Sequence, residues 1–335
     1  MSEKKSAFSE KAKGLINFRE VGLVFFIVAL AIVVQVRTSE FFTPRNLSNL
    51  FTDAAILGIV SVGMMLVLLT GGIDLSIGAV IAFCGMVSGL TAKNFPGIHP
   101  ALLVIEGSLL GAVVGSITGT LIARFSILPI IASLGMMNVM RGMTYVVGGG
   151  AWVSAYQMPD SFKKMATNRL LGINNLIIIA IVVYVIFYYF INYTKTGRRI
   201  YAVGSNREAA DIIGLPSRRI VTLVYVLQGM LAGLGGVLWV AKFASAQGDT
   251  ALGYELNPIA ACVLGGIAVS GGRGSVPGLL LGVVLFGILA NALPLINVSP
   301  FWQQAIQGFV ILAAIITNVM IKRNHDRSNL RKRFI

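Results

Sequence analysis

The sequence predicts an all-α polytopic membrane protein of about ten transmembrane helices, and three observations carry that prediction. Of its 335 residues, 56% are hydrophobic and only 12% charged, with a mean hydropathy of +0.82. Soluble domains carry about 25% charged residues, so this chain has too few charges to cover an aqueous surface. The apolar residues fall in long runs, and the cations lie in the gaps between them. That pattern fits helices surrounded by lipid and by one another.

In chain order, residues 1–20 form a polar, basic cytoplasmic segment that is too long and mixed for a signal-peptide start. The first span is expected at 21–36, with no small-residue cleavage pattern after it. Further spans are expected near 47–69, 77–91, 100–123, 128–147 and 173–191, then near 220–241, 257–270, 276–293 and 301–321. The transmembrane domain therefore covers 21–321, followed by a basic cytoplasmic tail at 322–335. Several runs fall short of the ~20 residues that cross hydrocarbon comfortably, so some spans are expected to be tilted, broken or buried in the bundle.

The cations orient the chain. Nineteen of the 27 Lys and Arg fall in segments that ten crossings put on one side, and seven fall on the other. Arg141, inside the fifth span, completes the set. Both termini are thus expected in the cytoplasm. The net charge of +14 does not point to nucleic acid, because the cations are not interleaved with aromatic residues as in a stacking platform. Cys84 and Cys262 lie in separate apolar runs and read as reduced packing residues.

The largest polar interruption is Thr194–Ile220, an island of 27 residues with six cations against Glu208 and Asp211. Ser205 and Asn206 are positioned to cap a short helix starting near Arg207, and acids in its first turns favour its N-terminal dipole. Gly214 would end it and Pro216 would keep it from restarting. On this reading the island is a rigid lever at the cytoplasmic surface; an ordinary positively charged loop is the plainer alternative.

Polar residues within the apolar runs are costly unless they face protein, water or a solute path. GGIDLS at 71–76 breaks an apolar stretch, and Asp74 there has three open roles: contact with a solute, a cap with Ser76, or a pair with an island cation. Capping or gating is preferred, because the topology puts it toward the cytoplasm. GGIAVSGG at 265–272 falls at a matching cytoplasmic turn. Glu106, then Asn138 and Arg141 three apart on the fifth span, then Gln303, Gln304 and Gln307 on the tenth, are candidates for a gate or solute path. Each could equally tie helices together. Glycines spaced by four, at 107, 111, 115 and 119, at 229 and 233, and at 278 and 282, predict close helix packing.

Nothing in the sequence provides bond chemistry. The dipeptide Gly-Lys is absent, so no phosphate-binding loop of the usual kind exists, and His99 and His325 fall in loops on opposite sides. Asp74 and Glu106 are the only acids well inside apolar stretches, which is thin support for an ion-coupled secondary transporter, the alternative class.

TGRRIYAVGSNREAADIIGLPSRR in the island, GYELNPIAACVLGGIAVSGGRGSVPG at 253–278 and GGIDLSIGA at 71–79 together resemble the membrane permease subunits of ribose-type sugar ABC importers, in the branched-chain amino acid and ribose permease superfamily. These motifs stand in family order across about 200 residues and do not specify the sugar. The resemblance implies a type II importer-like bundle working by alternating access. It also implies a second permease subunit and separate ATP-binding subunits that carry the ATP and Mg, so that this chain binds no cofactor. An extracytoplasmic sugar-binding protein would complete the system. The loop 194–219 would couple to the ATPase through Arg198, Arg199, Ser205, Asn206, Arg207, Glu208, Asp211 and Gly214. The outside segment 148–172, with Trp152, Tyr156, Lys163, Lys164 and Arg169 against Asp160 as its only acid, would dock the receptor.

Overall fold

A computed structural model describes residues 18–299, 301–310, 312–313 and 316. Eight helices among them are long and apolar enough to cross a membrane. They are α1 (Phe18–Thr38), α2 (Pro44–Leu69), α3 (Ile77–Asn94), α4 (Pro100–Arg124), α5 (Pro129–Gly148), α7 (Asn175–Tyr193), α10 (Ser217–Phe243) and α12 (Val276–Leu295). Shorter helices lie between them: α6 (Asp160–Thr167), α8 (Lys195–Ser205), α9 (Arg207–Ile212) and α11 (Leu256–Leu264). The described strands are a two-residue pair, Arg169–Leu170 with Ile173–Asn174, before α7.

The helix starts follow capping chemistry. Proline opens α2, α4 and α5, where its missing N–H costs nothing. Thr43 caps α2, His99 Nδ1 caps α4, Asn174 caps α7 and Ser275 caps α12, each accepting a backbone N–H at 2.8–3.3 Å. These caps fix where each span begins and so set the depth of its side chains.

The core lies around α2 and α10. Every residue of α2 from Ala54 to Leu69 is buried, so protein surrounds its inner two-thirds on all sides. The two glycine-bearing helices α4 and α10 cross in backbone contact. A methyl group at Gly111 would run into the Gly229 carbonyl, and one at Gly229 into that of Gly111. Cys84 and Cys262 are free and buried, as the sequence predicts.

One expectation changes, and another lies mostly outside the described residues. The span expected at 257–270 is α11, only nine residues long and therefore about 13 Å, too short to cross hydrocarbon. Its glycine-rich continuation, with positive φ at Gly266, Gly271, Gly272 and Gly274, leaves the helix and turns toward α12. Irregular backbone is tolerated there because it packs against the bundle, with Gly265, Ile267 and Gly271 buried, while Ser270 and Arg273 reach the surface. The tenth span begins as helix at 301–310, and most of its remaining length lies outside the described residues, as do 1–17 and the tail at 322–335.

Candidate functional site

The island is two helices rather than one. Thr194 caps α8 by accepting from Gly197 N–H at 3.0 Å, and Asn206 caps α9 by accepting from Ala209 N–H at 2.9 Å. The short helix expected from Arg207 is α9, capped by Asn206, and only Ser205 as a cap is corrected. Ser205 ends α8, because Thr194 already nucleates a helix upstream and Asn206, in extended backbone, separates the two. Gly214 has φ +79° and closes α9. Its N–H donates to Asp211 O, and that of Leu215 to Ala210 O, both at 3.0 Å.

One face of the island is pinned to the bundle and the other is free. Ile200 and Val203 of α8, Ala210 of α9 and Ser217 are buried. Arg198, Arg199, Ser205, Asn206, Arg207, Glu208, Asp211 and Gly214 are all exposed. So are Ile212 and Ile213, at 85% and 73%, which is unusual for large apolar side chains at a charged surface.

The pinned face meets the break in α2. Gly204 leaves no room for a side chain, since a methyl there would strike the Leu69 carbonyl. The same carbonyl accepts from Gly272 N–H at 2.9 Å. Tyr201 of α8 donates to Gly274 O at 2.8 Å, and Tyr225 of α10 to Ile73 O at 3.4 Å. The two motifs GGIDLS and GGIAVSGG thus lie side by side beneath the island. Sequence reasoning noted both motifs but missed Gly204, Tyr201 and Tyr225, which hold these turns against α8 and α10.

Asp74 is bonded within its own turn, just before α3. It is 4% exposed, and one carboxylate oxygen accepts from the Ser76 N–H at 2.8 Å and the Ser76 hydroxyl at 2.6 Å. The ion pairs among the described residues are Asp160–Lys163 and Asp53–Lys242, neither of which involves Asp74.

The remaining path candidates do not gather in one place. Glu106 is half-buried and accepts from the Thr91 hydroxyl at 2.8 Å, tying α4 to α3. Asn138 is exposed and donates back to its own helix at Leu134 O. Arg141 is turned the other way and holds the 244–255 segment by donating to Gly248 O at 2.9 Å and Thr250 O at 2.7 Å. Gln303 donates to Val298 O at 2.7 Å, and Gln307 is half-buried.

On the opposite end from the island, the 148–172 segment folds over the bundle and joins it through the Val153–Ala246 bridge. Trp152, Tyr156, Lys164 and Arg169 are exposed. Lys163 is partly covered, donating to Ala155 O at 3.1 Å and pairing with Asp160 at 2.8 Å. The hydrogen bond that Lys163 donates to the Asp160 carboxylate, with the lysine charge, holds that carboxyl below the usual carboxylate range.

Residues 46–315 match the family described as branched-chain amino acid transport system / permease component. The chain is 35% identical over 308 residues to the L-arabinose ABC transporter permease protein AraH of Azospirillum brasilense, covering 92% of this chain and 89% of that one. It is 38% identical over 300 residues to the ribose import permease protein RbsC of Escherichia coli strain K12, covering 88% and 92%. The fructose import permease protein FruG of Bifidobacterium longum is 34% identical over 301 residues, covering 88% of each chain. No solved structure matches. With apolar helices of spanning length and matches running nearly end to end, this chain belongs to the family of branched-chain amino acid transport system permease components, as a multi-pass protein of the bacterial inner membrane.

Proposed function

We propose that this chain is the membrane-spanning subunit of an ATP-driven importer that moves a sugar or similar polyhydroxylated solute into the cytoplasm. The observation that carries this reading is the end-to-end likeness to import permeases for ribose, arabinose and fructose. The exposed tip of the island supports it. Ile212 and Ile213 stand out beside Arg207, Glu208 and Asp211 with nothing among the described residues covering them, which suits insertion into a groove of a separate ATP-binding subunit.

ATP and Mg belong on that partner, and this chain holds no cofactor. Two permease subunits enclose the path, and a sugar-binding protein delivers solute at the face carrying Trp152, Tyr156, Lys164 and Arg169. Closure of the ATP-binding subunits moves the island, α8 carries the movement to the break after Leu69, and the cytoplasmic gate near Asp74 rearranges. The functional units are the coupling loop 194–219 within the transmembrane domain 21–321, with cytoplasmic ends at 1–20 and 322–335.

Purification from the native host tests the assembly. An ATP-binding subunit should co-purify with the wild-type chain and be lost from Ile212→Asp/Ile213→Asp. Equal recovery with both chains would remove the island from the interface.

A further inference from the structure

At the end of the bundle opposite the island, the outer halves of α2 and α12 part beneath the start of α11. They leave a cleft of about 180 Å³. Pockets for drug-sized ligands run to ~300–1,000 Å³, so this one suits a single smaller molecule. Four of its ten lining residues are polar, at a depth where polarity is costly. Asp53 lies nine residues into α2, about 13 Å from its start. Asn257 opens α11, Asn291 lies one turn from the end of α12, and Tyr254 lies between α10 and α11.

These groups are only partly satisfied by the protein. Asn291 and Asn46 exchange reciprocal amide hydrogen bonds at 2.9 and 3.0 Å, which fixes the Asn291 amide plane. Lys242 binds one oxygen of Asp53, and among the described residues the other has no hydrogen-bond partner. Among the described residues, neither the Asn257 amide nor the Tyr254 hydroxyl has a hydrogen-bond partner. The Tyr254 ring is held edge-on to Trp239, with centroids 4.9 Å apart, while Leu57 and Phe286 supply an apolar wall. Donors, acceptors and an apolar face around a small volume are what a sugar ring requires.

The charge arrangement narrows the ligand. Lys242 is spent on Asp53, and its side chain is only 15% exposed against 62% for the carboxylate. A solute therefore meets acceptors, amides and a hydroxyl but no open cation, which disfavours solutes carrying a carboxylate. We propose that this cleft is a solute subsite within the protomer for one neutral polyol of monosaccharide size. Asn257, Asn291, Tyr254 and the free oxygen of Asp53 hold its hydroxyl groups, and Phe286 and Leu57 pack against its carbon face. The proposal rests on the sugar-import reading and adds to it a named binding place.

Trp239 provides a direct readout, because its neighbour Tyr254 lines the cleft. The full chain has three tryptophans, so Trp152→Phe/Trp302→Phe leaves Trp239 as the only emitter. This protein, in detergent, is titrated with D-ribose, L-arabinose, D-fructose and L-leucine. At least one sugar should change the emission saturably and L-leucine should not. Asn257→Leu and the milder Tyr254→Phe, each eluting on gel filtration as the parent does, should raise the midpoint about tenfold, the loss of one well-made hydrogen bond. Silence toward all three sugars overturns the subsite, as does an unchanged midpoint in both variants or a response to L-leucine alone. Uptake by the complete system is measured in parallel. If one of these sugars is imported while Trp239 stays silent, the subsite fails and the import reading stands; if none is imported, the import reading fails on its own account.

Discussion

The backbone N–H of Gly272 donates to the carbonyl of Leu69 at 2.9 Å, joining two turns about 200 residues apart in sequence. Gly204 of the island packs onto the same carbonyl. Three backbone segments meet there without an intervening side chain.

Gly204→Ala tests this junction. The added methyl must displace α8 from Leu69, an overpacking that costs about 1–3 kcal/mol. The ATP-binding subunit should still co-purify, because the exposed tip is untouched. Solute uptake should fall about tenfold or more while ATP hydrolysis persists. Full uptake by this variant would remove the junction from the coupling route.

Gly214→Val acts at the other end of the lever. A side chain at Gly214 would meet no atom of the described residues, so the penalty comes from its φ of +79° alone, about 1 kcal/mol or more. Assembly should be largely retained, with uptake and stimulated ATP hydrolysis separated from each other. Unchanged transport would count against a coupling role for α9.

Much of this architecture was legible locally. Apolar runs placed most spans within a few residues of where they stand, and glycines spaced by four on α4 and α10 marked the close crossing. Asn206 and Gly214 announced α9. Local pattern could not show that Gly204 faces Leu69, because a glycine inside a helix looks the same whether it meets lipid or a carbonyl. Nor could it separate Asn138 from Arg141: their spacing puts them on neighbouring positions of α5, but only the 244–255 segment decides which one has a partner. The short α11 was hidden for a related reason. Its apolar run continues through Gly265 and Gly266, and hydropathy does not register the turn they make.

Asp74→Asn replaces a carboxylate that accepts twice from Ser76. Weakening a buried charge-assisted bond costs about 1–3 kcal/mol, so thermal stability in detergent should fall. Uptake should fall too, with the order of competing sugars preserved, because Asp74 is turned to its own chain. An altered order would place it against the solute.

Reversal of Lys163, Lys164 and Arg169 to glutamate should slow association with the sugar-binding protein, most strongly at low salt. Lys164 and Arg169 should carry most of the effect, since Lys163 already serves Asp160 and Ala155. Because the Asp160 carboxyl is held below its usual range, its pair with Lys163 persists through neutral pH. The pair is lost only as pH falls through that lowered value. Wild-type association rates for the triple variant at low salt would move docking to 242–257.

The most direct measurement is solute uptake into proteoliposomes containing this chain, its co-purified ATP-binding subunit and the sugar-binding protein. Uptake of ribose, arabinose or fructose should require all three proteins and internal ATP, and should be indifferent to collapse of the proton and sodium gradients. Uptake by this chain alone, driven by either gradient and unaffected by ATP, would contradict an ATP-driven importer and identify an ion-coupled transporter instead.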